Sequence, residues 1–255
     1  MASEQTLITI RERRQVDVLD LALVVLRRRP WAIGVVAACG IAPFAALNAW
    51  IFRQPHGLGP LPALVLWWLE APFAMAPLTL MLGGMMFGRP PRLREIGRRL
   101  LGSAGTLLLV HGVLRFLPVY WLPPRLVFAN EVILLEHSGP GKLWKRGADL
   151  VGGRDGDLFF LALFQNLAIW AGATVAYVGV GRLVQAALVE QMTWDLPDAT
   201  LLNGLAFQGP VWLGVVYLAV VRFLTYIDQR IRLEGWEIKL RLHAAGEAMA
   251  EARKW

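Results

Sequence analysis

Three residues place charged or titratable groups inside apolar stretches of the chain: Glu70, His111 and Arg115. Glu70 stands about nine residues in from the outer end of one apolar run. Arg115 and His111 stand about six and ten residues in from the outer end of the next, so at about 1.5 Å per residue all three reach a similar depth. A charge at such a depth is rare unless it is paired or faces water. Glu70 is therefore expected to pair with Arg115 or His111, either as an ion pair holding two helices together or as a site for a proton, an ion or an anionic substrate. A second polar set, Asn130 with Glu131, Gln165 with Asn166, and Asn203 with Gln208, lies in later apolar runs. Side-chain hydrogen bonds between membrane helices contribute about 1 kcal/mol each, so these residues serve as interhelical contacts unless several converge on one cavity.

Other motifs carry less. Gly139-Pro-Gly-Lys142 lacks the upstream Gly and the following Ser or Thr of a phosphate-binding loop, and Gly152 to Asp157 lacks the spacing and final Glu of a calcium loop. Both are read as helix terminators. His56, His111, His137 and His243 have no partner at i+3 or i+4, so no helical metal pair is expected, and no cofactor is implied. Cys39 is the only cysteine, which excludes an intrachain disulfide; it is read as a small buried hydrophobe.

The elements that must hold these residues follow from composition. Of 255 residues 56% are hydrophobic and 18% charged, and several apolar blocks reach the roughly 18 residues that read as a membrane span. The expected architecture is all-α, a polytopic transmembrane bundle of six spans: about Trp31 to Phe52, Leu61 to Phe87, Leu100 to Trp121, Leu126 to Leu135, Leu158 to Val180 and Leu201 to Tyr226. The fourth run is short for a crossing, and Pro118, Pro123 and Pro124 blur its border with the third. Residues 1–30 form a basic cytoplasmic segment, 31–226 the membrane domain and 227–255 a cytoplasmic amphipathic tail. No remaining segment is long enough for a separate catalytic domain, since folding alone needs about 40 residues.

With the amino terminus inside, 22 of the 26 Lys and Arg fall on cytoplasmic segments, Arg222 among them. The net charge of +7 is thus a topology signal that sets both termini in the cytoplasm of a bacterial inner membrane, facing anionic headgroups. Nucleic acid is not an expected partner, because the cations are split among four segments. Trp31, Trp50, Trp121, Trp144 and Trp194 fall at span ends, whereas Trp67, Trp68, Trp170 and Trp212 lie deeper and are read as packing or lipid-facing residues.

The two central basic segments resemble each other. Pro91, Arg92, Leu93, Gly97 and Leu100 overlay Gly141, Lys142, Leu143, Gly147 and Leu150. Val16, Leu19, Leu23 and Leu26 give the amino-terminal segment a helical stripe of its own. The bundle is therefore expected to comprise three hairpins, each introduced by a short amphipathic helix on the inner surface.

The runs Phe128 to Glu136 (FANEVILLE) and Gly141 to Leu150 (GKLWKRGADL), with Val16 to Arg29 and Arg92 to Leu100, resemble bacterial membrane proteins related to the membrane-anchor domain of glycerophosphoryl diester phosphodiesterase. That resemblance implies a six-helix inner-membrane module. The phosphodiesterase needs a soluble catalytic barrel that this chain lacks, so no enzymatic residue transfers.

In the tail, Ile231, Ile238 and Leu242 form one apolar stripe and Leu233, Trp236 and Leu240 another roughly opposite. Two apolar faces suit a helix that rests on lipid or its own loops with one and meets a partner with the other. The expected function is therefore an accessory or scaffold protein docking a membrane or cytoplasmic protein. The competing expectation is a small transporter or lipid-handling permease centred on Glu70, His111 and Arg115. An intramembrane enzyme ranks third, since no nucleophile, metal set or carboxylate pair stands out.

Overall fold

The computed structural model describes residues 15–52, 60–86, 90–116, 126–152, 155–189 and 205–234. Every regular element among them is helical: α1 (Gln15–Arg28), α2 (Pro30–Phe52), α3 (Pro60–Met86), α4 (Leu93–Leu107), α5 (Ala129–Leu135), α6 (Pro140–Val151), α7 (Asp155–Val189) and α8 (Leu205–Glu234). Among the described residues four stretches are long and apolar enough to cross a membrane: Pro30–Phe52, Val65–Met86, Gly156–Ala176 and Gln208–Leu233. The chain is a helical membrane protein.

Apolar attraction between helices is weak in lipid, so close packing and internal hydrogen bonds must hold the bundle. α2 packs along α3 and α7 along α8, while α3 also touches α5 and α8. Gly40 sets the α2–α3 contact, because a Cβ there would collide with the carbonyl oxygen of Ala74. Gly83 lies under Leu135, whose Cδ2 a Cβ there would meet. The hydroxyls of Thr79 and Thr225 donate to the carbonyls of Met75 and Val221 one turn back, as a hydroxyl among apolar side chains must.

The last apolar stretch, residues 208–233, overlaps the expected sixth span, and α8 continues unbroken to Glu234 with its charges matched: Arg232 donates to Asp228 at 2.8 Å one turn earlier, and Arg230 lies 3.6 Å from Glu136. Arg222, counted above among the cytoplasmic cations, falls inside both the expected span and this stretch.

The third and fourth apolar runs take other forms. α4 begins as an amphipathic helix, widens to π geometry over Leu108–Val113 and tightens to 3-10 over Leu114–Phe116. α5 has seven residues, about 10 Å of the roughly 30 Å hydrocarbon layer.

Several local expectations change. The buried face of α1 is Val18, Ala22 and Val25, packed on α8, while Val16 and Leu23 of the expected stripe are exposed. Leu19 and Leu26 of that stripe are partly buried against the core, so the expected stripe straddles the edge of the buried face. Cys39 is exposed on α2. Gly139 does not end a helix: it precedes Pro140 at the start of α6, where a missing N–H costs nothing. Gly152 does end α6, at φ +53°, a conformation that glycine adopts without strain. The overlaid segments also diverge: Leu143, Gly147 and Leu150 of α6 are buried, whereas Leu93 of α4 is exposed.

Candidate functional site

The buried polar residues separate into distinct clusters. Glu70 does not meet Arg115 or His111. Its Oε2 accepts a 2.8 Å hydrogen bond from Nδ2 of Asn48, joining α3 to α2, and its Oε1 has no hydrogen-bond partner among the described residues. Similar distance along two helices does not bring side chains together unless their azimuths also agree. Asn48, which went unremarked in the sequence, is fully buried against Glu70.

His111 lies in the π segment, a distortion common at functional sites because it re-aims side chains. Its Nε2 is 2.9 Å from Oδ1 of Asn130, and Nδ2 of Asn130 donates at 2.8 Å to the Pro72 carbonyl. The Phe73 ring meets the imidazole edge-on at 5.9 Å. Four residues further, the Arg115 guanidinium sits 3.3 Å above the ring of Trp68, a cation–π contact strengthened where water is excluded.

Glu131 forms the third cluster. It is completely buried on α5 and accepts a 2.8 Å hydrogen bond from Nε of Arg222 on α8. One turn further along each helix, Glu136 binds Arg146 through both oxygens, at 2.5 and 2.9 Å, and accepts from the Tyr226 hydroxyl at 2.7 Å. This carboxylate ties the end of α5 to α6 and α8.

Between α3, α7, α8 and residues 126–128 lies a cavity of about 430 Å³. Its α8 wall is one face of the helix, Val211, Val215, Leu218, Ala219, Arg222 and Thr225. From Val211 to Thr225 that face extends about 21 Å at 1.5 Å per residue. Trp67 and Trp170 stack at 5.6 Å between centroids and, with Trp68, wall the cavity rather than only packing or facing lipid. Arg115, beside Trp68, and Arg222 both line it. α7 forms one wall of the cavity, and its lining residues Phe159, Leu163 and Leu167 are exposed.

Of the second polar set, Gln165 and Asn166 line the cavity, Asn130 and Glu131 lie buried behind it, and Gln208 is buried in α8 with both amide atoms lacking a partner among the described residues. Asn203 lies outside the described residues, as do Trp236, Ile238, Leu240 and Leu242 of the tail. The two remaining tail candidates differ in environment. Ile231 is buried, and Leu233 is exposed with its methyls over Gly152. No group of three or more His, Cys, Asp or Glu that could hold a metal occurs among the described residues.

The arrangement can hold an elongated apolar molecule with an anionic end. Arg222 was hidden to sequence reading because it was assigned to the inner loops. Its spacing of four from Tyr226 and eight from Arg230, on one helical face, was the signal available. No family model, curated protein or solved structure matches this chain.

Proposed function

We propose that the protein is a lipid-handling membrane protein that admits an amphiphile from the bilayer into the cavity between α3, α7 and α8. The single observation behind this reading is the shape and chemistry of that cavity: about 430 Å³, long, aromatic and aliphatic along its walls, with two arginine side chains in its lining. Ligand sites of this kind are mostly apolar with a few placed polar groups. An amphiphile satisfies both parts, and the exposed wall of α7 offers it a route from the lipid. Of the two expected functions the permease reading gains from this cavity, centred on Arg115 and Arg222 rather than Glu70. The scaffold reading rests on the tail, most of which lies outside the described residues.

The topology belongs to the same proposal: six spans in three hairpins, both termini inside, in a bacterial inner membrane. The packing of α2 on α3 and of α7 on α8 suits the first and third hairpins. Residues 93–135 would furnish the middle pair, with α5 completing only part of its crossing. The likeness to phosphodiesterase membrane-anchor domains fits a multi-pass module of this type.

The test is photolabelling in vesicles with lipids carrying a photoreactive group on the acyl chain. Labels should map to α7 and α8 residues facing the cavity, and Ala219→Trp, which fills it from a buried position on α8, should remove them while the protein still inserts. Labelling confined to the outer surface of the bundle, indifferent to Ala219→Trp, would refute the proposal.

A further inference from the structure

The position of Arg222 narrows the class of molecule that the cavity takes. Arg222 is fourteen residues from Gln208 and eleven from Leu233, the ends of its span, or about 21 and 16 Å along the helix. It therefore stands inside the candidate span, ahead of the charged run Asp228 to Arg232. An arginine inside a span is expensive unless it is paired or faces a polar occupant, and such residues mark substrate pathways.

Arg222 has a partner, but the partner occupies only one of its nitrogens. Glu131 holds Nε at 2.8 Å and is itself fully buried, outside the set of residues that line the cavity. The carboxylate thus grips the guanidinium from behind. Arg222 lines the cavity with its side chain 29% exposed, and no described residue hydrogen-bonds its terminal nitrogens. The edge formed by Nη1 and Nη2 is the part of arginine that matches two oxygens of one anion, in a phosphate or a carboxylate. A lysine in this place would present a single charged point and could not be held by one nitrogen while offering two others.

We propose that the cavity binds a net-anionic amphiphile by its head, with two head oxygens on the Nη edge of Arg222 and the apolar chain along the Trp67 and Trp170 wall. The proposal rests on the preceding reading that the cavity admits an amphiphile. The shared chemistry is an oxyanion with two available oxygens on an apolar tail, supplied by an anionic phospholipid or by a fatty acid. Glu131 acts as a positioning residue: it fixes the guanidinium plane and never meets the ligand.

The experiment uses the full chain in phosphatidylcholine vesicles, with trace phosphatidylglycerol, oleate or phosphatidylcholine carrying a photoreactive group beside the head. Phosphatidylglycerol or oleate should label residues 215–225 about tenfold more than phosphatidylcholine does, the size expected of one charge-assisted contact. Arg222→Gln should abolish that preference, and Arg222→Lys should restore it in part. Labelling by phosphatidylglycerol alone identifies a phospholipid, and by oleate alone a fatty acid; either supports the proposal. Equal labelling by phosphatidylcholine in the unaltered protein overturns the head assignment while leaving the cavity reading standing. That comparison needs no variant to fold. A preference that survives Arg222→Gln overturns it as well, and no cavity labelling by any of the three overturns both readings.

Discussion

Glu70 and Glu131 are both buried carboxylates in the apolar part of one bundle, yet they are satisfied differently. Glu70 faces a neutral amide, Nδ2 of Asn48, across the α2–α3 contact. Glu131 faces a cation, Arg222, across the α5–α8 contact. The first pairing leaves Oε1 of Glu70 buried without a partner among the described residues, outside the cavity lining, and joins two helices that Gly40 already brings together. The second leaves the outer edge of a guanidinium turned to a cavity. The difference shows that burial of a charge in a membrane helix does not mark a site. What marks one is a charge whose open part lines a cavity.

That contrast can be broken or sharpened by substitution, read as the change in unfolding free energy in bicelles. Glu131→Leu should cost the most, about 3 kcal/mol, since removing one member of a buried ion pair leaves the other charged and uncompensated. A loss below about 1 kcal/mol would show that Arg222 is already satisfied by solvent in the cavity. Glu70→Leu should cost about 1–2 kcal/mol, from the orphaned Asn48 amide, and an equal or larger loss than Glu131→Leu would erase the distinction drawn here. Glu70→Gln should change stability by about 0.6 kcal/mol or less, because a glutamine carbonyl accepts the same Asn48 bond. A large loss on Glu70→Gln would reveal a requirement for the carboxylate itself. Deleting residues 235–255 should leave stability unchanged and remove any co-purifying protein partner; undiminished recovery of that partner in mild detergent would end the docking idea. The cut belongs at 235 because α8 runs unbroken to Glu234.

Much of the fold was legible in the sequence wherever hydropathy alone decides. α2, α3, α7 and α8 follow from apolar length, and α1, α4 and α6 from basic segments with helical patterning. The site was less legible, for reasons that particular residues make plain. Glu70, His111 and Arg115 were picked out by type and depth, but which of them meet depends on rotation about each helix axis. That rotation is altered at residues 108–116, where the helix widens and then tightens. Asn48 escaped notice because a lone amide in an apolar run has no sequence signature until its partner is known. Arg222 was set among the loop cations because the positive charges that follow it read as a boundary. Their pairing with Asp228 and Glu136 is a tertiary fact.

The two carboxylates on either side of α5's last turn have a joint effect. Glu131 engages Arg222, and five residues on, Glu136 engages Tyr226 and Arg230, which follow Arg222 at steps of four along α8. The two helices are thereby keyed at two points, as a toothed rack is, in both azimuth and axial register. A single residue inserted into α8 between Arg222 and Tyr226 would rotate the two contacts by about 100° relative to each other. No adjustment of the helix as a rigid rod would then satisfy both. Length in this segment is therefore under tighter constraint than side-chain identity. Drift in composition along the lipid-facing side of α8 would be tolerated where one inserted or deleted residue would not.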